Sequence, residues 1–278
     1  MHDPAVIRAQ FAELVRRDDE RIELARAALL VAAEHDESLD VDACMATLDA
    51  WAAALAERVG ADATSVQRLA ALRQFMFEEL GFRGDVHDYY SPENSLLHSV
   101  MDRRVGIPLT LGIVFMELGW RIGMQFEGVG FPGHFLVRLA GEESDLLLDP
   151  FDHGSSVAEE DCRRMIAASS QGALRFEPEM TRSIGRRDMV ARLLLNLKVA
   201  RLREKDLKGA LAAVDQLLLV FPDSPPELRD RGLLLYQLDG YRAALASLED
   251  YLRVRPDAAD RAAIERHMLT LRMMLAAH

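Results

Sequence analysis

Apolar residues recur at helical spacing through the amino-terminal third of the chain. Ile7, Phe11, Leu14 and Val15 mark one face of a first helix, opened by Asp3-Pro4, a capping residue followed by a first-turn proline. Val41, Met45, Leu48, Ala52, Leu55 and Val59 mark a second, which begins near Asp40 and which Gly60 closes. Val66, Leu69, Leu72, Phe75, Met76 and Leu80 mark a third, from Thr64 to Gly81. The pattern predicts three amphipathic helices over residues 1–83.

The texture then changes. GFRGDVHDYYSPENSLLHSVMDRRVGI, residues 81–107, predicts a loop and a short helix. Pro108 opens a strongly apolar helix, LTLGIVFMELGWRIG, where a missing N–H costs nothing in the first turn, and Gly123 ends it. Residues 125–130, 134–140 and 145–149 read as short strands, with Gly141-Glu142-Glu143-Ser144 as a hairpin turn between the last two and Pro150 as a stop. Residues 169–188 lack periodicity and read as a linker between a core over 84–168 and a helical tail over 189–278.

The tail repeats. Ala210 and Pro222 lie 12 apart, as do Ala244 and Pro256, and the two sets are offset by 34, the tetratricopeptide period. In that frame Leu194, Leu197, Val214 and Leu217 are matched by Leu228, Arg231, Leu248 and Tyr251, with Arg231 a departure from the apolar pattern. Gly232 falls where paired helices approach closely, and 260–277 reads as a capping helix. The tail resembles a tetratricopeptide pair.

Composition bounds the function. The 278 residues are half hydrophobic and carry a formal net charge of -12, which argues against general affinity for nucleic acid or anionic membrane. No apolar run reaches the length of a membrane span. The charge is uneven: nine Lys or Arg face three acids between Arg182 and Lys208, a local +6 that reads as a solvated helix face or as a surface for acidic protein or nucleic acid. Two cysteines far apart, Cys44 and Cys162, and no basic-then-apolar leader at MHDPAVIRAQF point to a reduced, cytoplasmic compartment. His87, His98, His134 and His153 have no metal spacing, and Gly128-Val129-Gly130 leads into a strand, not the helix a dinucleotide loop needs. No metal or cofactor is expected.

The chemistry concentrates between Asn94 and Gly154. Arg104-Val105-Gly106-Ile107-Pro108 opens a helix, Pro-Gly-His134 opens a strand, and Asp149-Pro150 ends another. Helix, strand and strand carrying His and an acid is the core order of papain-like and transglutaminase-like thiol enzymes. Those place a cysteine at the helix start, where the helix dipole stabilises a thiolate, the His takes the proton and the acid orients the His. Here Pro108 stands at the nucleophile position. Thr110 is an unactivated hydroxyl pointing about 200° around the helix. Cys44 shares a face with Leu48, Trp51 and Leu55, as a buried inert thiol would, and Cys162 in EEDCRRM reads as a surface thiol.

The run NSLLHSVMDRRVGIPLTLGIVFMELGWRIGM, with GVGFPGHFLVRL and LLLDPFDHG, resembles the SirB-type family of bacterial transglutaminase-like proteins. The resemblance is densest over 89–154, where Asn94, Arg104, Gly106, Pro108, Gly133, His134, Asp149 and Pro150 match the family's signature positions. It implies an α+β chain: an N-terminal helical bundle, a transglutaminase-like (papain-like) core with a small antiparallel sheet, and C-terminal tetratricopeptide repeats. It further implies a core that has lost its cysteine.

Three functions follow as expectations. The first is a non-catalytic protein-binding or regulatory scaffold. The second is a hydrolase or acyl-transfer enzyme using His134 and Asp149 with another nucleophile, water included. The third is acidic-protein or nucleic-acid binding through 182–208. The expected cleft residues are Asn94, Arg104, His134 and Asp149. The expected partner-binding residues, for a protein or acidic peptide in the repeats, are Arg192, Lys198 and Arg201.

Overall fold

The structure, a computed structural model, describes residues 3–60, 62–141 and 145–276. The chain divides into two compact units, Met1–Leu193 and Leu194–His278.

In the first unit α1 (Pro4–Val15) is capped by Asp3, which accepts the Ala5 N–H at 2.9 Å, and it buries Ile7, Phe11, Leu14 and Val15. The next helix, α2 (Leu24–Ala33), is not among the three that periodicity predicts. Every residue of it except Arg26 is buried. A helix buried all round has no polar face, so it has no amphipathic stripe to read. Then come α3 (Val41–Arg58), capped by Asp40, and α4 (Ser65–Arg73), opened by a Thr64/Gln67 capping box. The third predicted helix does not stay α-helical. It widens into a π-helical turn over Gln74–Glu79, which lets the consecutive side chains Phe75, Met76 and Phe77 all turn inward.

Beyond it lie β1 (Arg83–Gly84), α5 (Leu97–Arg103), β2 (Val105–Gly106) and α6 (Pro108–Arg121). Helix α6 is the axle of this unit: everything from Pro108 to Gly119 is buried, and it packs on α2 and α3 as well as on the sheet. Its own Glu117 turns back to accept the Ala25 N–H at 2.8 Å, which supplies one of the free donors at the start of α2. Gly112 and Gly119 let the sheet approach. A Cβ there would lie 2.5 Å from the Phe135 ring and 2.1 Å from the Phe126 ring.

The sheet comprises β3 (Phe126–Val129), β4 (Leu136–Leu139), β5 (Leu146–Asp149), β6 (Ser155–Ser156) and β7 (Ser183–Ile184), in the antiparallel order β6-β5-β4-β3-β7. Helix α7 (Glu159–Ser169) follows β6. The expected hairpin turn at Glu142–Ser144 lies outside the described residues. The segment read as a linker is built into the sheet, since β7 pairs its edge with β3, Gly128 opposite Ile184. Two residues are too few to leave an alternating pattern.

Helix α8 (Arg186–Arg203) runs across the division of the chain, so the boundary expected at 188/189 falls inside a helix. The second unit continues through α9 (Leu207–Val220), α10 (Pro225–Gln237), α11 (Tyr241–Val254) and α12 (Arg261–Ala276). The repeat is visible in the backbone. Lys205 and Asp239 occupy equivalent turns, and both adopt the left-handed region, at φ 61° and 60°. Gly232 allows close packing of α10 on α11, because a Cβ there would meet Leu248 at 2.5 Å and the Ala244 carbonyl at 3.3 Å. Ala210 and Ala244 are fully buried. Arg231, out of pattern in sequence, donates to Asp215 at 2.6 Å and to the Ser247 hydroxyl at 2.7 Å, so its charge is answered inside the array.

Candidate functional site

The antiparallel pairing of β4 with β5 sets Val137 opposite Leu148, and so brings the residue two places before β4 beside the last residue of β5. Those residues are His134 and Asp149. Gly133, at φ 70°, makes the turn that delivers His134. Nε2 of His134 lies 2.9 Å from Oδ2 of Asp149, and the other oxygen, Oδ1, accepts the Phe151 N–H at 2.9 Å. The contact turns Nε2 of the imidazole toward the carboxylate. The side chains of His134 and Asp149 are 18% and 12% exposed, so the pair is shielded without being sealed.

Aromatic rings wall it. Phe151 meets the imidazole edge-on at 5.9 Å between centroids and Tyr89 at 6.3 Å, and Tyr89 in turn meets Tyr90 at 5.2 Å. Gly84 makes room for Phe151, whose ring would lie 2.4 Å from a Cβ there. Arg192 on α8 donates through Nη2 to the carbonyl of Phe131 at 2.7 Å and to that of His134. Burial pushes the Tyr89 hydroxyl pKa up, and Tyr90 adds to this, while the Arg192 charge acts in the opposite sense. Tyr89, Phe151 and Arg192 are thus neighbours of the pair that sequence order did not single out for this place. Their one sequence signal is the Tyr-Tyr pair in a polar loop.

Asn94 serves the site indirectly. Fully buried, it donates to Asp85 at 3.0 Å and to the Asp88 carbonyl at 2.8 Å, and accepts from Arg103 at 2.8 Å. Its side chain fastens the loop that carries Tyr89 and Tyr90. Arg104 does not join the pair either. It ends α5 at φ 59°, and its guanidinium lies 4.3 Å from the Trp51 ring and 5.1 Å from the Phe82 ring.

At the start of α6, Pro108 offers no nucleophile, and the Thr110 hydroxyl is buried, donating to the Asn94 carbonyl at 2.9 Å. The thiols lie elsewhere. Cys162 is fully buried among Val129, Phe131, Leu136 and Ile166, not on the surface as its sequence setting suggests. Cys44, on α3, is half-buried. Burial first, then nearby acids, push both thiols above their ordinary pKa.

The basic segment is not a free positive face. Arg186 donates to the carbonyls of Glu20 and Ile22, and Arg187 to those of Val15 and Arg17. Lys198, only 8% exposed, is held between Asp230 at 2.9 Å and Glu227 at 3.3 Å. Arg201 pairs with Asp206 at 3.3 Å. Each of the expected partner-binding cations, Arg192, Lys198 and Arg201, thus answers a carbonyl or carboxylate of its own unit. Among the described residues no three His, Cys, Asp or Glu side chains gather as metal ligands.

The fold and site define a transglutaminase-like core with no thiol at its helix start, followed by tetratricopeptide helices. Residues 42–195 match the transglutaminase-like superfamily and residues 197–269 the tetratricopeptide repeat. The chain belongs to the bacterial UPF0162 family, SirB-like in its architecture: a UPF0162 protein of Xylella fastidiosa is 30% identical over 91% of this chain and 92% of its own length. A UPF0162 protein of Vibrio cholerae is 30% identical over 68% of this chain and 70% of its own. F-box only protein 21 of Homo sapiens is 26% identical over 62% of this chain but only 28% of its own length. Among solved structures, menin superposes at a TM-score of 0.41 with 14% identity, covering 91% of this chain and 70% of that one.

Proposed function

We propose that this protein is a non-catalytic scaffold that binds protein through its repeats, with the transglutaminase-like core retained for recognition rather than turnover. One observation carries the binding half. Helix α8 exposes Leu195, Val199 and Leu202 at 39%, 42% and 40%, three apolar side chains spaced i, i+4, i+7 and so aligned on one line. At the equivalent positions of the next repeat stand Leu233 and Tyr236, and Tyr236 touches His267 of α12 at 5.9 Å between rings. Lys198 joined to Asp230 sets α8 beside α10, so these apolar positions form one surface across first helices. Such a surface suits the apolar face of a helical or extended segment. The proline at the start of α6, a helix that carries neither cysteine, supports the non-catalytic half.

The test is in-cell cross-linking with the whole chain. Leu195→Asp/Leu202→Asp should lose the partner that the parent captures while keeping its circular-dichroism spectrum, since both side chains are already exposed. Capture of the same partner at equal yield by this variant would refute the reading.

A further inference from the structure

We propose that Arg192, with Tyr89 and His134, forms a binding site for a single carboxylate at the mouth of the transglutaminase-like unit, the ligand being a peptide C-terminus or an Asp or Glu side chain. A guanidinium has five N–H donors. Nη2 of Arg192 is committed to the carbonyls of Phe131 and His134, which fixes the plane of the group. Nε and Nη1 carry the other donors. Among the described residues no carboxylate pairs with Arg192 and neither Nε nor Nη1 makes a hydrogen bond or is sealed from solvent; Nη1 packs beside Gly130.

Two comparisons within the chain set Arg192 apart. Arg201 and Arg231 have acids of their own, and Arg104 is covered by two rings. Arg192 is half-buried with neither. Burial pushes its pKa down, and only the Tyr89 hydroxyl opposes that. A desolvated cation without a counterion is costly, and an incoming anion recovers that cost.

The surroundings select the anion. The fork matches a planar carboxylate in bidentate fashion. The whole chain is acidic at -12, so a dianion such as phosphate meets more repulsion than a monoanion does. The Phe151 and Tyr89 rings supply a shielding wall beside His134. This site is independent of the surface on α8 and would stand if that surface failed.

The experiment is an NMR titration of the whole chain at low salt, following the His134 ring resonances, with N-acetylglycine as probe and N-acetylglycinamide as its uncharged match. The carboxylate should shift His134 saturably with a dissociation constant on the order of 1 mM, and the amide should not. Arg192→Gln should weaken binding at least tenfold. Because Arg192 also braces the turn at 131–134, Tyr89→Phe is the second variant. It leaves every Arg192 bond in place and should weaken binding by a few fold. No saturable shift in the parent, equal shifts from acid and amide, or unchanged affinity in a folded Arg192→Gln variant would each overturn the proposal.

Discussion

Two small groups of cations, one in each unit, are held in opposite ways. In the repeats, Lys198, Arg201 and Arg231 each sit against an aspartate or glutamate, and what faces outward along α8 is Leu195, Val199 and Leu202. In the transglutaminase-like unit, Arg192 and Arg104 have no acid, and rest on carbonyls and rings instead. A run of basic letters therefore gives no measure of available charge. The segment 182–208 carries +6 in sequence, yet Lys198 and Arg201 of its repeat half are held by acids, and Arg186 and Arg187 of its core half donate to backbone carbonyls.

The contrast can be broken most severely at Lys198. Lys198→Ala leaves the buried Glu227 without its cation and Asp230 with Arg229 alone, and should destabilise the chain by about 3–5 kcal/mol in a denaturant series. Arg201→Ala, whose partner Asp206 is 37% exposed against 8% for Glu227, should cost less, about 1 kcal/mol. Equal costs would mean that Lys198 is as free as a surface lysine.

Asn94→Ala comes next. It strips two donors and one acceptor from a fully buried node and should cost about 2–3 kcal/mol. It should also raise hydrogen exchange in the 85–90 loop above that of the repeats. Uniform exchange across both units would deny Asn94 its fastening role.

Asp149→Ala should be milder, about 1–2 kcal/mol by thermal or chemical denaturation, since His134 is close enough to solvent to recover part of its lost bond. Asp149→Asn should cost less still, an amide oxygen being able to accept the same proton. A parent-like Asp149→Ala would show that the pair contributes nothing to the core.

The smallest effect is on pH. Burial alone would raise the Asp85 pKa, but N–H bonds from Asp88 and His87, the Asn94 amide and the Arg103 charge outweigh it and hold the carboxyl below its ordinary value. A folded pKa below the unfolded one gives a contribution that is complete above about pH 4 and lost as pH falls through the folded value. Tyrosine fluorescence should therefore report loosening of the Tyr89–Tyr90 loop on acidification below about pH 4, ahead of the repeats. Loss in the opposite direction, above pH 7, would contradict the assignment.

Much of this was legible from letters alone. The helices that leave a polar face outside, α1, α3 and α4, announce themselves by period, as do the proline that opens α6 and the tetratricopeptide spacing. Helix α2 does not, because burial on all sides erases the stripe, and β7 does not, because two residues carry no alternation. His134 and Asp149 could be named from sequence order, and β4–β5 pairing brings them together. Asn94 and Arg104 were named from the same run, but their partners Asp85, Trp51 and Phe82 come from elsewhere in the chain. Arg192 was visible only as charge. Its place behind the imidazole depends on a helix that starts beyond the sheet and returns beside it.

The central claim is that a His–Asp pair stands here without a nucleophile to serve. Its most direct measurement is the rate of covalent labelling of the intact parent by an iodoacetamide probe at pH 6, resolved by peptide mass spectrometry at Cys44 and Cys162. Both thiols should label no faster than an ordinary thiol of pKa about 8.5, and His134→Ala should change neither rate. Rapid labelling of either cysteine that disappears in His134→Ala would contradict the account and restore a thiol enzyme.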